Sequence, residues 1–266
     1  IKKKESFLDY IFGGCEIGLQ IAVDLLSLMA AKPRAFSALL EPETNQYVRA
    51  IRAVGNILQS YDCDKKFPLY GFGGKVQHSN VVNHCFAMNG NIFDPEVHGI
   101  ENVIAAYHNS INKVALFGQP GFLNYHQVAG YCEGKTAEES QANQKYNILL
   151  ILTDGEIQDL QATIDEIVKA SDLPLSIVIV GVGKANFGAM EKLDADKDPY
   201  IKQAEEIQTR DIVQFVAFNQ FADNPDELGK EVLKEIPKQM TDYFKSKGIK
   251  PNDPDPTLRL VQMANA

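Results

Sequence analysis

Positive charge, paired cysteines and long apolar runs are all scarce in this chain. Lysine and arginine together number 26 against 35 aspartates and glutamates, a net charge of −9 over 266 residues. A nucleic-acid binder usually shows a basic footprint to meet phosphates, so the balance argues against that class and against a generally basic membrane-binding surface. The four cysteines, Cys15, Cys63, Cys85 and Cys132, are scattered and include no C-x-x-C pair. That spacing speaks for reduced thiols in an intracellular protein and against a disulfide frame or zinc site. The apolar runs are strand-sized, well short of the roughly 20 residues a membrane helix needs. Ile1-Lys2-Lys3-Lys4-Glu5 is basic, but no long apolar stretch or small-residue cleavage site follows it, so no secretory signal is read there. A first residue of Ile rather than Met points to a piece of a longer protein.

Several catalytic and nucleotide motifs are missing too. Gly71-Phe72-Gly73-Gly74 and Gly181-Val182-Gly183-Lys184 fall short of both the Walker loop and the G-x-G-x-x-G spacing. There is no G-x-S-x-G elbow. None of the five histidines, at 78, 84, 98, 108 and 126, forms an H-E-x-x-H pair or stands at a metal-ligand interval from another. Asp194-Ala195-Asp196-Lys197-Asp198 looks like half of a calcium loop without the Gly and Glu that complete one, and reads as a solvated acidic loop.

What is present is a succession of buried-strand signatures. Ile148 to Leu152 is apolar on both faces and stops abruptly at Thr153-Asp154-Gly155. A fully buried strand of a parallel sheet has this appearance, and it would carry Asp154 to the carboxyl end, where open α/β sheets bind their ligands. Gly18-Leu19-Gln20-Ile21-Ala22-Val23-Asp24 repeats the pattern and delivers a second acid. Two such carboxylates at one rim repel unless a cation or proton is shared, which makes Asp24 and Asp154 candidate ligands of a divalent cation. An Asp at a strand end also serves as a helix cap or turn former.

Further strands are read at Phe67–Gly73, Leu175–Gly183 and Asp211–Val216, with a short edge strand at Cys85–Met88. Helical spacing appears over 47–58, 99–112 and 159–170, the last with Leu160, Ile164, Ile167 and Val168 inward. A final helix is expected from about Pro225 to Phe244, ended by Gly248 and followed by Pro251, Pro254 and Pro256. Strand–helix alternation of this kind predicts one α/β domain, doubly wound, with a mainly parallel central sheet flanked by helices on both faces. The expected boundaries are 1–251 for the domain and 252–266 for a tail or linker.

Several segments resemble one family in the expected order. They are Ser6-Phe7-Leu8-Asp9-Tyr10-Ile11, Asp64-Lys65-Lys66-Phe67-Pro68, Tyr70-Gly71-Phe72-Gly73, Leu150-Ile151-Leu152-Thr153-Asp154-Gly155, Ile179-Val180-Gly181-Val182-Gly183, Arg210-Asp211-Ile212-Val213-Gln214-Phe215-Val216 and Gly248-Ile249-Lys250-Pro251. From about Ser6 to Pro251 the chain resembles the copine core, a von Willebrand factor A-like (vWA) domain. In copines this domain follows two calcium-dependent phospholipid-binding domains, neither of which is in this chain. The resemblance implies a protein-interaction module whose strand-end loops hold Mg²⁺, Mn²⁺ or Ca²⁺ at a metal-ion-dependent adhesion site, with a partner carboxylate completing the coordination. It also implies a cytoplasmic protein recruited to membranes by calcium through the domains absent here.

The chain departs from that pattern at the ligands. The first loop of such a site reads Asp-x-Ser/Thr-x-Ser, whereas Leu26 and Leu28 follow Asp24, and Ser27 is one position out of step. Gly118-Gln119-Pro120-Gly121-Phe122 lacks the threonine of the second loop, while the third loop keeps Asp154. The implied metal residues are therefore Asp24, Ser27 and Asp154, and a site built on them should bind a cation weakly or not at all. The rival reading is a magnesium-dependent α/β phosphohydrolase with Asp24 as nucleophile and Asp154 as metal ligand. It lacks the acid two residues after the nucleophile, because position 26 is Leu.

Overall fold

The computed structural model describes residues 5–25, 45–62, 64–72, 74–76, 85–116, 140–154, 160–183, 185–194 and 210–254. Nine strands are described: β1 (Glu16–Asp24), β2 (Lys66–Phe72), β3 (Gly74–Val76), β4 (Phe86–Ala87), β5 (Glu96–His98), β6 (Val114–Leu116), β7 (Lys145–Thr153), β8 (Leu175–Gly181) and β9 (Val213–Ala217). Helices α1 (Phe7–Phe12), α2 (Gln46–Leu58), α3 (Ile100–Ile111), α4 (Leu160–Ala170), α5 (Gly188–Glu191), α6 (Pro225–Leu233) and α7 (Ile236–Ser246) alternate with them.

The main sheet runs β4-β2-β1-β7-β8-β9. Its β2, β1, β7, β8 and β9 are parallel, whereas β4 and β5 pair antiparallel with β2 along its outer edge. A mixed, mainly parallel sheet flanked by helices agrees with the fold class expected from the sequence. The chain winds outward from β1 to β2, then returns on the other side of β1 as β7. The strand order reverses there, so the carboxyl ends of β1 and β7 border the crevice where such sheets bind ligands. Register places Val23 opposite Leu152, which sets Asp24 beside Thr153.

Side-chain alternation splits the core in two. Ile17, Leu19, Ile21 and Val23 of β1 join Leu150 and Leu152 in the larger core, beneath α1, α2, α3, α6 and α7. Ala22, Tyr70, Leu149, Ile151, Ile177 and Phe215 face the other way, against α4 and α5. Helix α2 carries Val48, Ile51, Val54 and Leu58 on its buried face and is capped by Asn45, whose side chain accepts from the backbone of Tyr47 and Val48. Helix α1 opens with a capping box between Ser6 and Asp9, and its Tyr10 stacks on Phe244 of α7 with ring centroids 4.8 Å apart.

Three expectations change. The single helix expected over 225–244 is two, broken at Lys234–Glu235. Pro237 is the cause: it has no N–H to donate, and its ring excludes the Leu233 carbonyl from a continuous helix. On α4, Leu160, Ile164 and Ile167 pack against the second core with Thr163 and Ala170 buried on the same face, but Val168, expected inward with them, is half-buried and does not join that core. Asp194 is not solvated. It is buried, and its Oδ2 accepts from the Phe215 backbone at 3.3 Å. The rest of that acidic run lies outside the described residues.

One feature of the sheet edge was not foreseen. β4 and β5 follow the same antiparallel path along β2 but are separated by a loop, Asn89 to Pro95. Leu69 bridges the gap, its carbonyl accepting from Met88 and its N–H donating to Pro95. The excursion blunts what would otherwise be an open edge strand.

Candidate functional site

At the carboxyl ends of β1 and β7, the Thr153 hydroxyl donates to Oδ2 of Asp24 at 2.7 Å. Both residues are buried, Asp24 at 3% exposure and Thr153 at 0%. Burial of a carboxylate is costly unless hydrogen bonds replace its water, and the strand-end threonine supplies one such bond to Asp24. Asp154 follows Thr153 directly and is half-buried. The two sequence-predicted acids therefore belong to one rim, on adjacent strand ends. Ser27 and the loop at 118–122 lie outside the described residues.

Sequence reading missed several residues that shape this rim. The Asn45 side chain, besides capping α2, donates from Nδ2 to the Tyr107 hydroxyl of α3 at 3.2 Å. Burial, with the negative charge of Asp154 adding to it and the Asn45 bond opposing, pushes the Tyr107 hydroxyl up to about 12. It is neutral throughout the physiological range. Gly183 closes the turn after β8 with φ +85°, a conformation that glycine adopts without a steric penalty. A Cβ there would stand 3.3 Å from Cβ of Asp154. The Gly183 N–H donates to Oε1 of Gln46 at 2.7 Å, and Gln46 Nε2 donates to Oδ1 of Asn219 at 3.2 Å. The Asn219 amide donates in turn to the Gly183 carbonyl. These bonds tie the start of α2 to the ends of β8 and β9. The helix-cap rule could have flagged Asn45, but Gln46 and Asn219 carry no sequence signal, because their partners come from strand order alone.

The donor set suits a hard divalent cation poorly. Such an ion wants six or more oxygens, or several retained waters. Among the described residues no group of three or more His, Cys, Asp or Glu could hold a metal ion. The Thr153 hydroxyl is spent on Asp24, and Leu26 and Leu28 stand where hydroxyl ligands belong. The phosphohydrolase alternative gains nothing from this arrangement, since its nucleophile would be a buried carboxylate already engaged by Thr153.

A second polar cluster lies at the opposite, amino-terminal ends of the strands. A cavity of about 100 Å³ is bounded there by Gly18, Asp62, Asp64, Lys66, Lys145 and Asn147 among others. β1 and β2 pair only from Ile21–Leu69 onward. Below that point Asp62 takes the place of a strand partner, accepting from the Leu19 N–H at 3.2 Å and the Lys65 N–H at 2.9 Å. Burial pushes Asp62 up to about 6 against the pull of those two donors, with the neighbouring Asp64 carboxyl adding to the rise.

A mainly parallel α/β sheet with two acids at the β1–β7 switch is a vWA- or Rossmann-like arrangement. Comparison with known proteins narrows the class. The copine family model matches residues 37–252. Copine-D of Dictyostelium discoideum is 40% identical over 261 residues, covering 96% of this chain and 48% of that protein. Copine-A of the same organism is 40% identical over 254 residues, covering 95% and 42%. The chain belongs to the copine family, and it spans about half the length of the relatives it matches. Among solved structures, proximal thread matrix protein 1 from the mussel byssus, described with a zinc-occupied MIDAS motif, overlaps 82% of this chain and 46% of its own. At 12% identity and a TM-score of 0.40 that overlap is too loose to carry an inference about the site.

Proposed function

We propose that this chain is the protein-interaction module of a copine and docks a protein partner at the rim around Asp24 and Asp154, with no firm requirement for a divalent cation. The observation that carries the reading is the 2.7 Å bond from Thr153 to Asp24, which satisfies part of that carboxylate's demand from within the protein. An acid served by its own scaffold depends less on a cation for its burial. Loss of the hydroxyl positions to Leu26 and Leu28 acts in the same direction. A metal-ligand set of Asp24, Ser27 and Asp154 is a weak one for a hard cation.

In the whole protein, calcium-dependent phospholipid-binding domains outside this chain would bring the module from the cytoplasm to membranes. No described helix is long and apolar enough to cross a membrane. The domain is assigned to 1–251 and the tail or linker to 252–266. Gln141, which donates to the Lys250 carbonyl at 2.7 Å and to Oδ1 of Asn252 at 2.9 Å, holds the chain against the domain as far as Asn252, one residue past that proposed end.

Titration calorimetry with Mg²⁺ and Ca²⁺ tests the reading. Dissociation constants weaker than about 1 mM are expected for so few ligands. Micromolar binding that is abolished by Asp154→Ala would refute it.

A further inference from the structure

We propose that a second copy of this chain docks on the edge formed by β4, its following loop and α3, each copy placing Phe93 in the other's groove. Phe93 is 96% exposed and Ile92 55%. They sit at the tip of the loop that interrupts the edge strand, and that tip is not loose. The Asn91 N–H donates to Oδ1 of Asn89 at 2.9 Å, and the Phe93 N–H donates to Oδ1 of Asn91 at 3.2 Å. The Asn89 amide donates to the Asp94 carbonyl at 2.7 Å. An aromatic ring is thus held out in water on a preorganised turn. Blunting the edge strand requires only the excursion, which the asparagines and Gly90 already provide, so it leaves the apolar tip without a purpose.

The complement lies a few residues away on the same chain. A groove of about 420 Å³ runs between Phe86 and Met88 of the edge and Ala105, Ala106 and Asn109 of α3, with Lys113 in the turn just after that helix. This lies within the roughly 300–1,000 Å³ of pockets that take a whole small molecule, so it admits one aromatic ring. A knob and a hole side by side on one surface form the self-complementary patch that a two-fold dimer needs. Charge agrees with this occupant. Asp94 flanks the knob and Lys113 flanks the hole, and both are exposed. Seating Phe93 of one copy brings its Asp94 to the other copy's Lys113, twice over by symmetry. The rigid turn keeps the ordering cost of docking low.

The patch is small. Each aromatic buries about 150–250 Å², so the whole interface stays at or below the roughly 1,200 Å² of weak encounters, and a dissociation constant on the order of 100 µM is expected.

Sedimentation of the 266-residue chain from about 5 to about 500 µM reads this directly. The weight-average mass should climb from 29.5 kDa toward twice that value. Phe93→Ser should weaken association at least about tenfold. Asp94→Lys and Lys113→Asp should each weaken it, and the double variant should restore it, because the pair is then reversed rather than broken. All four variants alter exposed side chains, so melting temperatures serve as the control for folding. A chain that stays monomeric throughout overturns the proposal. So does association that Phe93→Ser leaves unchanged, or a double variant that fails to recover.

Discussion

Replacing Thr153 with valine removes one atom's worth of chemistry from the rim and little else. Both residues are β-branched and suit a strand, so backbone preference is kept. What is lost is the hydroxyl that donates to Oδ2 of Asp24 at 2.7 Å, between two residues essentially sealed from solvent. Hydrogen bonds to charged groups contribute roughly 1.5–3 kcal/mol, and leaving a buried acceptor short of a donor costs about the same. In a chain of this size 1 kcal/mol moves the melting temperature by about 2–4 °C, so Thr153→Val should lower it by roughly 3–12 °C. Urea unfolding in a chelating buffer gives the free energy free of any bound cation. Thr153→Ser keeps the donor and should lose markedly less. A double-mutant cycle with Asp24→Leu isolates the pair, with a coupling of at least about 1 kcal/mol expected. If Thr153→Val unfolds within about 0.5 kcal/mol of the parent, the claim that Thr153 helps to satisfy Asp24 is wrong.

Gly71 lies under the ring of Phe86, where a Cβ would come within 2.7 Å of the ring's Cζ and 3.2 Å of Met88 Cγ. Gly71→Ala should therefore cost about 1–3 kcal/mol by overpacking, read by urea unfolding, and should disturb the groove that Phe86 lines. The Asp62 carboxyl, raised to about 6 by burial, titrates with a definite sign. The folded state holds its proton more tightly than the unfolded chain, so its contribution is full below about pH 4 and is lost as the pH rises through about 6. Asp62→Leu should flatten that part of the stability–pH curve, and an unchanged slope between pH 4 and 6 would count against the assignment.

How far the sequence could be read depended on whether the signal was local. The apolar runs at Ile148–Leu152 and within Leu175–Gly183 announced buried parallel strands, since only a strand covered on both faces dispenses with alternation. The helical period of 47–58 and 99–112 was equally plain. Pro237 was in view, but the apolar spacing on either side of it masked the break it imposes. Thr163 lies on the α4 face shared by Leu160, Ile164 and Ile167, so the helical period places it inward, but its polar side chain kept it off the list of apolar core positions. The edge strand at Cys85–Met88 was read, but β5 and the loop leading to it were not, since a three-residue strand carries no pattern of its own.

The rim divides along the same line. Asp24 and Asp154 could be named from strand ends, whereas their closeness needed the strand order, because β1 and β7 are separated by 120 residues of chain between Asp24 and Lys145. The bond between Thr153 and Asp24 follows from register and could not have been derived from either segment alone. Tyr107 was legible as an inward helix position, but its nearness to Asp154 was not. That nearness arises because α3 packs on α2 while Asn45 reaches across to its hydroxyl.

The most direct test of a rim that works without a firmly held cation is anomalous scattering from crystals soaked in about 1 mM manganese, near the weak end of protein sites for hard cations. The account predicts no ordered peak shared by the two acids. A strong peak within about 2.6 Å of carboxylate oxygens from both Asp24 and Asp154 would contradict it.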